Sequence, residues 1–165
     1  DSGDIGIVGS ANAFNREGLR WLGAGLPDSP IKIFGGLAKY ASESGVEPVG
    51  RYGDAMDPYR QCGIILMTTA EGMGVQIKSI EALAAGRAIV ARRGAMRGIP
   101  PGNGAWIEVD TSEEMRAAAR RLRGDPETRH AQMAAAREYY RAHLDAHRLR
   151  AELGAALLDI AQASH

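Results

Sequence analysis

The sequence predicts an α/β fold: a doubly wound parallel sheet with helices on both faces and a helical C-terminus. Three observations lead there. Apolar runs of strand length alternate with stretches of helical periodicity between Ile5 and Val109. Glycine-bearing loops follow the runs at Gly9-Ser10, Gly35-Gly36, Gly50-Arg51 and Gly72 to Gly74. Beyond Val109 the pattern is helical only. Strand followed by helix, repeated, calls for parallel strands joined by crossovers. In such a sheet the glycine loops gather at the carboxyl ends of the strands, where open α/β sheets bind ligands.

Each element has its own signal. Ile5-Gly6-Ile7-Val8 is the first strand. Asn15 to Leu26 reads as a helix with Asn15 as N-cap, Glu17 in the first turn and Leu19, Leu22 and Leu26 as its buried stripe. Ile31-Lys32-Ile33-Phe34 is the second strand and Val46 to Val49 a weak third. Asp57 to Gln61 is a short helix with Pro58 at a favoured first position. Ile64-Ile65-Leu66-Met67 is short and wholly apolar, as a buried parallel strand is. Gln76 to Ala85 is a helix on the spacing of Ile77, Ile80, Leu83 and Ala84, stopped by Gly86, and Ala88-Ile89-Val90 is the strand after it. Arg92 to Gly104, rich in Gly and Pro, is a loop, and Ala105 to Val109 the last strand. Thr111-Ser112-Glu113-Glu114 opens a helix to about Arg123. Gly124-Asp125-Pro126 breaks it, and Pro126 to about His147 and Leu149 to Ala161 are further helices. The order is Rossmann-like: one domain over 1–165, with 126–165 as its helical C-terminal segment.

At 165 residues, 45% hydrophobic and 24% charged, the chain has the balance of one globular domain with a substantial core. The formal net charge is zero, so no global field draws it to nucleic acid. Its cations are almost all Arg; Lys32, Lys39 and Lys78 are the only lysines. The single cysteine, Cys62, has no partner for an intramolecular disulfide and reads as a small buried residue of a reducing compartment. With no signal peptide and no membrane-length apolar run, a cytoplasmic location is expected. The chain starts at Asp1, without Met and directly ahead of a strand, as a fragment of a longer protein would. His143 and His147 have i, i+4 spacing but no third ligand, so no metal site is expected. Tyr139, Tyr140 and Trp21 read as packing residues. Met67, Met73 and Met96 are candidates to line a pocket, Met67 more as core.

The densest information lies in T-T-A-E-G-M-G-V-Q-I-K-S-I-E-A-L-A-A-G-R-A-I-V-A, Thr68 to Ala91. Strand, glycine loop, helix start, strand is an arrangement that binds phosphate: free N–H groups point at the anion, and glycine lets it approach the backbone. Lys78 lies in the first helical turn, where a cation is unfavourable against the helix dipole; a bound phosphate would account for it. Glu81, three residues on, projects from the same face. A cation and a carboxylate one turn apart suit a diphosphate and the hydroxyl pair of a ribose. The competing reading is an ordinary αβ turn with a solvated Lys78–Glu81 pair.

The segment G-V-Q-I-K-S-I-E-A-L-A-A-G-R-A-I-V-A resembles the donor-binding signature of retaining glycosyltransferases of family 4, which have the GT-B fold. Asp4 to Leu22 is similar to the first strand and helix of that family's C-terminal domain, Ile31 to Gly36 to its second strand, and Gly45 to Leu66 to the stretch before the signature. The matches span roughly residues 4 to 145 in order.

The resemblance implies roles for particular residues. Gly9 and Ser10 would belong to the loop at the phosphates, and Gly50-Arg51-Tyr52 would cradle the base. Gly72, Met73, Gly74, Val75, Gln76 and Ser79 would supply loop and helix-start contacts. Lys78 would neutralise the leaving diphosphate and Glu81 would accept from the ribose hydroxyls. Two departures stand out. The acidic residue that many members place eight positions before the ribose glutamate, where it bonds the donor sugar, is Met73 here; either the loop is longer and Glu71, the nearest carboxylate, makes that contact, or the contact is absent. The segment from Gly9 to Asn15 lacks the cations many members carry there, which leaves Lys78 as the main positive contact.

By this resemblance the chain is the donor-binding, C-terminal half of a two-domain glycosyltransferase. It would take a UDP-, GDP- or ADP-linked sugar as substrate, with no cofactor and no essential metal. The acceptor would be held by an N-terminal domain in cis, in polysaccharide or glycoconjugate biosynthesis; a membrane-associated acceptor is compatible with this. The fragment alone would be inactive. The alternative is a free-standing Rossmann-like nucleotide-binding or regulatory module without catalysis. A dinucleotide oxidoreductase is disfavoured, because no strand is followed by G-x-G-x-x-G.

Overall fold

A computed structural model describes residues 2–26, 28–42, 45–72, 74–102, 104–145 and 150. Six parallel strands form one sheet: β1 (Ile5–Val8), β2 (Ile31–Phe34), β3 (Val46–Gly50), β4 (Ile64–Met67), β5 (Ala88–Arg92) and β6 (Ile107–Val109). Their spatial order is β3-β2-β1-β4-β5-β6. β1 pairs with β2 and β4, with Ile7 beside Ile33 and Ile5 beside Ile64. The predicted doubly wound sheet is the observed one.

The period-2 alternation of side chains splits the core into two layers. Ile5, Ile7, Ile31, Ile33, Ile64 and Leu66 point to one face, against α1 (Ala13–Leu22) and α4 (Ser112–Gly124). Phe34, Ile65, Met67, Ile89 and Ala91 point to the other, against α2 (Asp57–Gln61), α3 (Ile77–Ala84) and the Ala136 and Tyr139 side of α5 (Pro126–His143). The central strands β1 and β4 are buried throughout, so their wholly apolar runs follow from two covered faces. Cys62 is fully buried, and burial pushes its thiol up to about 12. Trp21 is partly buried, with Arg92 stacked 4.5 Å over its ring, and Tyr139 donates to the Pro100 carbonyl at 2.6 Å.

Several local expectations need correction. The first helix starts two residues earlier, at Ala13, and its N-cap is Asn12, whose Oδ1 accepts from the Asn15 N–H at 2.8 Å. It stops at Leu22 because Gly23 turns left-handed at φ 66° and its N–H bonds back to Leu19 and Arg20. Leu26 is buried in the loop beyond, with its N–H on Gly45 O. Glu17 is therefore past the first turn, and its carboxylate holds Arg92 at 2.9 Å. A 3-10 turn at Gly36–Tyr40 follows β2. Gly35 has φ 83° there, and a Cβ on it would lie 2.5 Å from the Gly9 carbonyl. The last strand begins at Ile107, since Ala105 is held in a turn by Gly102 O. Thr111 and Glu114 form a reciprocal capping box on α4, and Asp125 caps α5. α5 ends at His143; the helix expected from Leu149 to Ala161 lies, Arg150 aside, outside the described residues.

Candidate functional site

The chain leaves β1 toward β2 and leaves β4 toward β5, so a crevice opens between these two neighbours at the carboxyl edge of the sheet. A pocket of about 790 Å³ occupies it. Val8, Gly9, Ser10, Asn12, Phe14 and Asn15 line it from the β1 side; Thr69, Glu71, Gly72 and Val75 from the β4 side. Gln76, Ile77, Lys78 and Glu81 of the α3 start, together with Tyr52 and Arg97, complete the lining.

Gly18 brings α1 onto this crevice. A Cβ there would sit 2.9 Å from the Thr68 carbonyl, so only glycine lets the helix cross the end of β4 so closely. At the start of α3, Gln76 occupies the N-cap position but does not cap with its side chain. Its amide donates instead to Thr69 O at 2.7 Å and Ala95 O at 2.9 Å. The first-turn amides of α3 are thus left without a side-chain acceptor.

Lys78 points back over this turn. Its Nζ donates to Asn15 Oδ1 at 2.8 Å and Thr69 Oγ1 at 3.1 Å; the Thr69 hydroxyl donates to Asn15 Oδ1, and the Asn15 amide to Ser10 O. All these partners are neutral. Burial, reinforced by the positive charge of Arg97, brings the ammonium down to about 8. Glu81 accepts from the hydroxyl of Tyr59 at 2.8 Å. Tyr59 is 1% exposed, and burial, then its bond to Glu81, holds its hydroxyl far above the ordinary range. Burial and the Glu81 charge also raise Tyr52. Lys78 and Glu81 do not pair with each other: among the described residues neither takes part in an ion pair.

The structure brings together Gly9, Ser10, Tyr52, Glu71, Gly72, Val75, Gln76, Lys78 and Glu81 on one pocket wall or another. Other candidates fall elsewhere. Ser79 is fully buried and its hydroxyl faces Met67 Sδ at 3.9 Å, so it belongs to the core side of α3. Gly50 is the last residue of β3 and its carbonyl takes the Gly35 N–H at 2.7 Å; Arg51 is exposed and, like Gly50 and Gly74, is not on the pocket wall. Met73 lies outside the described residues. Met67 and Met96 are both core. His143 packs its ring on Tyr139, centroids 4.6 Å apart, and its expected companion His147 is outside the described residues. No helix of the described residues is long and apolar enough to cross a membrane.

Sequence reasoning misses Phe14, Asn15, Thr69 and Arg97 as pocket residues. By residue type Asn15 is a helix cap, yet its side chain organises Lys78 and Thr69. Arg97 adds a second cation to the wall of the pocket where the sequence reading expected Lys78 as the main positive contact. It comes from the glycine-rich segment after β5, where nothing local sets it apart from the surface arginines around it. Thr69 was within reach of the sequence, since it lies just past β4 on the way into the glycine loop.

A Rossmann-like sheet with an open crevice at its switch point is the architecture in which open α/β domains bind ligands. The model of the glycosyl transferase-like family matches residues 16–154, and the chain belongs to that family. HepE of Anabaena, solved in complex with UDP, is similar at a TM-score of 0.73 and 12% identity, over 96% of this chain and 49% of that one. A sucrose-phosphate synthase of Thermosynechococcus elongatus is similar at 0.72 and 17%, over 97% and 46%. The chain therefore spans about half the length of both. The C-terminal domain of a glycosyl transferase group 1 family protein (LpcC) from Francisella tularensis is similar at 0.61 and 18%, over 84% of each. Comparison with curated protein sequences found no match.

Proposed function

We propose that this domain binds the nucleoside diphosphate of a sugar donor in the β1–β4 crevice, as the donor-side half of a glycosyltransferase. The observation that carries the reading is Lys78: a partly buried cation over uncapped helix-start amides, with only neutral partners. A diphosphate supplies the anion this geometry lacks. Glu81, oriented by the Tyr59 hydroxyl, is in place to accept from ribose hydroxyls. Tyr52 offers an exposed ring edge for the base, and Glu71 a carboxylate at the mouth for the donor sugar.

In glycosyl transfer the donor breaks at its sugar–phosphate bond, and negative charge grows on the leaving diphosphate. Lys78 and the α3 amides would stabilise that charge where it develops. The acceptor would come from a further domain of a longer chain, a reading supported by the half-length match to HepE and the synthase. By itself this domain has one wall of such a site, and transfer is expected to be undetectable because the reacting groups are not held together. A cytoplasmic setting, and a role in polysaccharide or glycoconjugate synthesis, complete the proposal. Calorimetric or NMR titration with UDP, GDP and ADP tests it. At least one should bind in the micromolar to millimolar range and shift amides of residues 69–81. If none does, the inert-module reading replaces this one.

A further inference from the structure

Resting on that reading, we infer that Arg97 is the second cation of a diphosphate clamp, delivered from the loop after β5 to a site whose first strand-loop carries none.

Three features of the structure converge on this. Arg97 lines the same pocket as Lys78, and it packs on the glycine loop, where a Cβ on Gly72 would sit 2.7 Å from its Nη2. The guanidinium is anchored by one edge only: Nη1 donates to Ala70 O at 3.0 Å and Gly94 O at 3.3 Å. Its Nε is buried with no hydrogen-bond partner, and among the described residues no carboxylate pairs with it. The buried, unpartnered Nε leaves the guanidinium charge under-compensated, and Nη2, which makes no hydrogen bond among the described residues, lies beside Gly72 of the glycine loop as the donor a phosphate oxygen would meet.

The neighbours sharpen the contrast. Arg92, the last residue of β5, and Arg93, the first of the loop, both have carboxylates: Glu17 for Arg92, Glu108 and Asp110 for Arg93. Of the three, only Arg97 is turned toward another cation. Two like charges facing one pocket raise the free energy of the empty site, and burial of Lys78 adds to it. A dianionic ligand relieves both costs at once. Binding then draws on a standing repulsion as well as on new hydrogen bonds.

The experiment uses the full chain, inorganic pyrophosphate and UDP as probes, and the Lys78 ammonium as an internal reporter. With only three lysines, lysine-labelled NMR resolves it. In Arg97→Gln the Lys78 pKa in the free protein should rise from about 8, because the opposing charge is gone. Pyrophosphate affinity should fall about ten- to a hundredfold, the worth of a charge-assisted contact. Arg97→Lys, which keeps the charge and loses the fork, should hold the Lys78 pKa low and recover part of the affinity; it also controls for loosening of the Ala70–Gly94 loop. Unchanged pyrophosphate affinity in Arg97→Gln, or a wild-type protein that does not bind pyrophosphate, overturns the clamp. Failure of the donor reading looks different: pyrophosphate binds in an Arg97-dependent way, but UDP, GDP and ADP bind no better than pyrophosphate.

Discussion

Two lysines, one on a strand and one on a helix start, sit near opposite edges of the sheet and are treated in opposite ways. Lys32, on β2 near the amino edge, donates to Asp4 Oδ2 at 2.8 Å, and that bond outweighs burial to raise its pKa above the ordinary 10.5. Lys78, at the carboxyl edge, meets only the neutral oxygens of Asn15 and Thr69, and its pKa drops to about 8. At the amino edge the fold provides the counter-charge. At the carboxyl edge it withholds one and adds Arg97. Uncompensated charge that the fold could have neutralised marks the face turned toward something other than the protein itself.

The sharpest way to break this comparison is to remove each lysine in turn. Lys78→Ala should weaken nucleoside diphosphate binding about ten- to a hundredfold and leave nucleoside binding nearly intact. Lys32→Ala should change neither, as titration of both variants with UDP and uridine will reveal. Tyr59→Phe comes next. It keeps the buried ring and deletes the hydroxyl that orients Glu81 at 2.8 Å. Uridine and UDP should lose affinity alike, by roughly three- to tenfold, less than a whole charge-assisted bond because the hydroxyl orients Glu81 without itself touching the ligand; pyrophosphate should not notice.

The pH response is smaller and its sign is fixed. A bound diphosphate raises the Lys78 pKa, so binding takes up a proton where the free lysine has lost one. Arg97, Glu71 and Glu81 are the other charges on this pocket. Affinity should therefore fall as pH rises through about 8, by at most about tenfold per pH unit. Calorimetry in buffers of different ionisation enthalpy reads the proton uptake directly. The smallest effect belongs to the amino edge. Asp4 is 45% exposed, so Asp4→Asn should cost under about 1 kcal/mol in urea unfolding. The Lys32 contribution is present below pH 10.5 and lost as pH climbs through its raised pKa. Lys78 has the opposite sign: between about 8 and 10.5 the unfolded chain binds more protons, so stability rises with pH there.

The sheet was legible because its signals are local. β1, β2, β4 and β5 are short apolar runs, each followed by a glycine-bearing loop, and their length and flanking glycines separate them from helix; β3, V-E-P-V-G, carried only a weak signal. The site was legible only where one segment builds it. Gln76, Lys78 and Glu81 share a helix start, so spacing put them together. The face of α3 was read less well: the spacing pointed to Ile77, Ile80, Leu83 and Ala84, whereas Ser79, Ala82 and Leu83 form the buried stripe and Ile77 is 72% exposed. Asn12 and Asn15 are equally good caps by residue type, and only the loop's path decides between them. Arg97 reaches the pocket through the β5 crossover, and no short-range pattern encodes that.

Gln76 spans two loops that chemistry alone would leave independent. By binding Thr69 O and Ala95 O together, it makes the segment after β4 and the segment carrying Arg97 into one mechanical unit. The spacing between the two cations is then a property of the scaffold, like the jaw width of a fixed wrench. A ligand entering this crevice has little ordering entropy to spend.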